Sequence, residues 1–69
     1  MDRHVRLLSE RERKIIELLA EGHSDDSISR KLKVPEARVK HYVRNMLHKQ
    51  GFVSPYQLIN WAYREAIIS

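Results

Sequence analysis

Between Glu36 and Gln50 the chain carries a run of side chains that donate hydrogen bonds or bear positive charge: Arg38, Lys40, His41, Arg44, Asn45, His48 and Lys49. Set on a helix at about 100° per residue, Val39, Val43, Met46 and Leu47 form one apolar stripe with Tyr42 at its margin. Ala37, His41, Arg44, Asn45 and His48 collect on the opposite side, with Arg38 and Lys40 flanking them. Glu36 is the segment's only carboxylate. A solvated helix face ordinarily mixes charges of both signs, so a face without acid suits a polyanion. The chemistry on offer is base reading. Arg and Lys donate to guanine O6 and N7, and Asn can pair bidentately with adenine. The small Ala37 lets such a helix sit close to base edges. Arg38 and Lys49, hydroxyl groups, and backbone N–H groups at helix starts suit phosphate oxygens. The candidate contacts to bases or phosphates are Lys40, His41, Arg44, Arg38, Asn45, His48 and Lys49.

Other chemistries find little support. His41 and His48 share a face, but a metal site needs three or four convergent ligands, and no nearby Cys or carboxylate completes one. Glu10, Glu12 and Glu17 offer carboxylates, yet Glu12 is better explained as a helix cap. No nucleophile stands beside a base, no glycine loop cradles a phosphate, and no zinc-protease helix is present. Both glycines, Gly22 and Gly51, fall where helices should end. The reading is a protein that is not an enzyme and holds no cofactor or metal. There are no cysteines, so disulfides are excluded.

At 69 residues the expectation is one domain, 1–69, with residues 1–6 frayed. A core this small supplies modest stability. The net charge of +4 and pI of about 9.8 point to an anionic partner, nucleic acid before membrane. The charged start, Asp2 to Arg6, is no signal peptide, and the short apolar runs cannot span a bilayer. No membrane partner is expected, and the expected location is the cytoplasm.

Four helical patterns would position the basic face. Ser9-Glu10-Arg11-Glu12 reads as a capping box, followed by Ile15, Ile16 and Leu19 at helical spacing and Gly22 as the stop. Ser24 caps a second helix over about 24–32, with Asp25 and Asp26 in its first turn, Ile28 and Leu32 inward, and Ser29 small enough for a neighbour to approach. Pro35 fits the first position of a third helix over about 36–50, with Val34 packed into the corner. Ser54 and Pro55 open a fourth over about 55–67. The spacing predicts an all-α, compact four-helix domain. Two helices joined by a tight turn, the second long and basic, is the helix-turn-helix plan, in which a scaffold helix braces a recognition helix in the major groove.

The fourth helix places Leu58, Ile59, Ala62 and Ala66 on the expected core face. Trp61 and Ile68 fall on a different face with Gln57, Asn60 and Arg64. Trp61 there either caps one edge of the core or anchors a dimer contact, since an aromatic amid polar neighbours is a common interface anchor. The dimer reading assigns Asn60, Trp61, Arg64 and Ile68 to the interface.

In their order and spacing, these residues resemble the LuxR-type (GerE-like) helix-turn-helix domain, the C-terminal output domain of response regulators of the NarL type. The resemblance runs from Leu8 to about Ile67. It rests on Leu8-Ser9-Glu10-Arg11-Glu12, on Leu18-Leu19-Ala20-Glu21-Gly22-His23-Ser24, on Ile28-Ser29-Arg30-Lys31-Leu32, on Val39-Lys40, and on Lys49, Gly51 and Ser54. It implies sequence-specific binding of double-stranded DNA by a bacterial transcriptional regulator, as a homodimer on a two-fold site. Lys40, His41 and Arg44 would reach bases and phosphates, and RNA polymerase would be a further candidate partner. Pro35 stands where such domains usually have Ser or Thr, Arg38 where Thr is frequent, Tyr42 where His is frequent, and Gln50 where Leu is usual. These departures bear on the target sequence and the helix start rather than on the fold. Two alternatives stay open: a sigma-factor-like DNA-binding domain, whose Arg-Val-Lys stretch Arg38-Val39-Lys40 imitates, and a helical protein-interaction module using the Trp61 face.

Overall fold

The computed structural model describes residues 8–68 of the chain. The expected fraying of residues 1–6 lies outside the described residues. Within them the chain forms four helices and no strand: α1 (Glu10–Ala20), α2 (Asp25–Leu32), α3 (Glu36–Gln50) and α4 (Pro55–Arg64). The all-α expectation holds; α3 has the expected bounds, with Pro35 as its N-cap rather than its first residue, and α2 begins one residue late, at Asp25 after the Ser24 cap. α1 and α3 each pack against all three other helices, whereas α2 and α4 do not touch. The long basic helix is thus held from three directions.

Local sequence explains where three of the helices begin. In the Ser9 capping box, Glu12 N–H donates to Ser9 Oγ at 3.1 Å and Ser9 N–H donates to Glu12 Oε1 at 2.9 Å. At α2, Ser27 N–H donates to Ser24 Oγ at 3.2 Å. At α4, Gln57 Oε1 reaches back to accept from Ser54 N–H at 3.1 Å and Val53 N–H at 2.7 Å. α3 begins on Pro35 with no side-chain cap, which is what losing the usual Ser or Thr entails.

All four helices end alike. In each, an N–H beyond the end donates to the carbonyl five residues back: His23 to Leu18, Val34 to Ser29, Phe52 to Leu47 and Ile67 to Ala62, at 2.8–3.1 Å. This bond, with a left-handed residue just before the donor, is the Schellman arrangement. Gly22 and Gly51 supply that residue at φ 95° and 73°, but Lys33 and Ala66 adopt it at φ 59° and 58°. The left-handed Ala66 also explains why α4 stops at Arg64 rather than near Ile67. A Cβ in this conformation costs about 1–2 kcal/mol. Glycine relieves that and returns about 0.4–1 kcal/mol through a freer unfolded chain. Lys33→Gly and Ala66→Gly should therefore each stabilise the domain by roughly 0.5–1 kcal/mol, read as a higher melting temperature. A lower one would mean that the strain is absent.

Ile15, Ile16, Ile28, Val39, Leu58 and Ala62 are fully buried and Met46 nearly so. Leu8, Leu32, Val34, Val43, Leu47 and Phe52 pack around them. The structure corrects the reading of α4 on one point. Trp61 and Ile68, assigned from sequence to a dimer interface, are each only 6% exposed within the single chain. The inward stripe of α4 runs Leu58, Trp61, Ala62, at steps of three and four, rather than Leu58, Ile59, Ala62, Ala66. Ala66 is exposed and Ile59 only half-buried. Trp61 meets Phe52 edge-on, ring centroids 6.1 Å apart, and the turn at Ala66 folds Ile67 and Ile68 back onto the core.

Candidate nucleic-acid interface

The corner between α2 and α3 fixes the basic helix relative to its scaffold. Lys33 turns the chain, and Val34 N–H donates to Ser29 O at 3.1 Å. Ser29 Oγ donates to Val34 O at 2.5 Å. The small residue in mid-α2 therefore ties the turn from both sides, a role beyond the close approach expected of it. Val34 is half-buried against the core, as expected, and α2 and α3 make the most extensive helix pairing of the fold.

α3 turns Val39 and Met46 fully inward, with Tyr42, Val43 and Leu47 half-buried beside them. Arg38, Lys40, His41, Arg44, Asn45, His48 and Lys49 are all exposed, as is Ala37. A helix with its side chains is about 10–12 Å across, and the major groove of B-DNA is about 12 Å wide. A single helix presenting this face therefore fits that groove.

The exposed groups are not equally available. Among the described residues, Arg38, Arg44 and His48 make no ion pair or side-chain hydrogen bond. Lys40 Nζ lies 3.8 Å from Glu36 Oε2, in an i,i+4 pair with both side chains about half exposed. Such a pair holds weakly in water and yields readily to a phosphate or base. Asn45 Nδ2 lies 3.1 Å from His41 Nε2, one turn away. Lys49 is different: its ammonium is 3.4 Å from Glu12 Oε2 of α1, a carboxylate 9% exposed. Reading Lys49 as a phosphate contact misses this bond, because Glu12 is 37 positions away and nothing in the spacing signals the meeting. No cluster of three or more His, Asp or Glu side chains able to hold a metal occurs among the described residues, and no described helix is long and apolar enough to cross a membrane.

Of the residues assigned to a dimer contact, Asn60 and Arg64 are exposed on α4. The exposed large apolar side chains in this part of the chain are ones that the sequence reading passed over: Val53 (88% exposed) just before α4, and Tyr56 (78%) and Tyr63 (49%) on it. Tyr56, Asn60 and Tyr63 follow one another at helical steps of four and three, so they share a face. That spacing is legible in the sequence once Trp61 is assigned inward.

The fold has counterparts among known proteins. Residues 6–62 match the family described as bacterial regulatory proteins, luxR family. The chain is 36% identical over 66 residues to the nitrate/nitrite response regulator protein NarL of Escherichia coli strain K12, and equally to that of E. coli O6:H1 strain CFT073. Each alignment covers 96% of this chain and 31% of the relative, so the chain spans about a third of the length of the curated relatives it matches. The solved structure of the transcription factor GerE superimposes with a TM-score of 0.88 at 35% identity, over 91% of this chain and 94% of that one.

Proposed function

From the premise that this chain belongs to the luxR family of bacterial regulatory proteins, with the DNA-binding helix-turn-helix of that family, we propose that it reads a specific double-stranded sequence through α3 and serves as the output unit of a transcriptional regulator. The observation that carries this reading is the outward face of α3. It presents Arg38, Lys40, His41, Arg44, Asn45 and His48 to solvent, while its one carboxylate, Glu36, is set at the end of the helix and already paired with Lys40. In this reading Lys40, His41 and Arg44 reach base edges, and Arg38 meets the phosphates on one side. A surface that binds duplex in this way needs no catalytic group, and the reading includes a non-enzymatic role in the cytoplasm.

A two-fold site bound by a homodimer is the second part of the proposal. The exposed face of α4, with Tyr56, Asn60 and Tyr63 in line, supports it. Two aromatic rings in a polar setting offer the area and low entropy cost that interface anchors supply. RNA polymerase is a further candidate partner for a unit of this kind once it is bound upstream of a gene.

Selection of bound duplexes from a random pool at low salt tests both parts. The expected product is a pair of inverted half-sites, centred about one helical turn (roughly 10 base pairs) or a multiple of it apart. Recovery of a single half-site would remove the dimer and keep the DNA reading. A pool that shows no enrichment and no retarded band would sink the function altogether.

A further inference from the structure

Glu12 is the one charged side chain that lies buried among the described residues, at 7% exposure. Its two oxygens have different partners: Oε1 accepts from Ser9 N–H at 2.9 Å, and Oε2 faces Lys49 Nζ at 3.4 Å. Capping requires only one oxygen and no charge, which is why Gln serves equally at this position of a capping box. A carboxylate taken out of water without a cation is costly. The cap therefore leaves the ionised group unexplained, and Lys49 explains it.

We propose that Glu12 is a positioning residue for DNA recognition: it locks Lys49, fastens the last turn of α3 to the start of α1, and withdraws Lys49 from the set of cations that meet phosphate. This rests on the reading of α3 as the DNA-contacting helix. The two ion pairs of α3 differ in kind. Glu36 and Lys40 sit about half exposed on one helix, so a phosphate can take Lys40 and leave Glu36 to water. Glu12 has no such recourse, because losing Lys49 would strand a buried anion. An ammonium already neutralised by protein releases no counterion when DNA arrives, and the salt dependence of binding counts only cations that DNA neutralises.

The test is salt-titrated binding of the chain to a short mixed-sequence duplex. Arg44→Ala should flatten the slope of log K against log salt by about 0.9, whereas Lys49→Gln should leave it where the parent has it. Glu12→Gln keeps the cap, takes the buried carboxylate away from Lys49 and should steepen the slope. Flattening by Lys49→Gln to the extent seen with Arg44→Ala would overturn the proposal. Melting of the parent, both single variants and the double variant gives a second readout that needs no DNA. The Glu12→Gln/Lys49→Gln chain should melt above Lys49→Gln alone, because the stranded carboxylate is gone. Additive losses would overturn the lock. Failure of every variant and of the parent to bind any duplex at low salt would count against the DNA reading, and the melting cycle would still decide the lock.

Discussion

Replacing Lys40 and Arg44 together by alanine is expected to lower duplex affinity about 100-fold or more while leaving the fold in place. Both side chains are exposed, one turn apart on α3, and neither touches the core. Exposed substitutions of this kind shift stability by about 0.5 kcal/mol or less, so the melting transition should stay within a few degrees of the parent's. The binding loss has two sources with different signatures. A base-edge contact is worth about 1–3 kcal/mol of discrimination and is lost on the cognate sequence alone. A phosphate contact is lost on every sequence and flattens the salt slope by about 0.9 for each charge. Lys40 adds a third effect. Its removal leaves Glu36, otherwise 3.8 Å from the ammonium, as an unopposed carboxylate facing a polyanion. Lys40→Ala should therefore cost more than Arg44→Ala on random sequence, where base contacts do not count. Measuring both variants against the selected and the random duplex separates these terms. A double variant that binds both as the parent does would show that the exposed face of α3 is idle.

How far the sequence disclosed this arrangement depended on the kind of signal. Features written in neighbouring residues were legible: the Ser9 and Ser24 caps, Pro55 opening α4, the glycine stops of α1 and α3, and the exposed polar side of α3. Each follows from a local geometric need and a residue type that meets it. What stayed hidden lay in two places. Lys33 and Ala66 end α2 and α4 by the same hydrogen-bond pattern as the glycines, but with side chains that advertise nothing, so α4 read three residues too long. Contacts between distant positions were the other gap. Glu12 meeting Lys49 is a product of α1 packing on α3, and helical periodicity within either element carries no trace of it. The exposed face of α3 was legible because a helix face is a local property. Which of its cations pair with distant residues was not, because that depends on the rest of the fold.

Trp61 shows what that difference costs, and Trp61→Ala is expected to unfold the domain. As one residue on a helical wheel, Trp61 fell among Gln57, Asn60 and Arg64, which left it either capping an edge of the core or anchoring a surface contact. In the fold it is 6% exposed and lies edge-on to Phe52. Truncating a buried large aromatic to alanine costs about 3–5 kcal/mol, part in lost transfer energy and part in the cavity left behind. A single core in a domain of this size rarely supplies more than about 3–5 kcal/mol in all, so the variant should show little cooperative melting and reduced helical circular dichroism at room temperature. Asn60→Ala and Arg64→Ala, on the exposed side of the same helix, should melt with the parent. The dimer reading of Trp61 predicts the reverse, a well-folded chain that has lost only its self-association. Since Trp61 is the only tryptophan, its fluorescence gives an independent check: a buried indole emits at short wavelength, and dilution that separates protomers should leave that emission unchanged. A red shift on dilution, or a Trp61→Ala chain that melts as the parent does, would return this residue to the surface and reopen the assignment of α4.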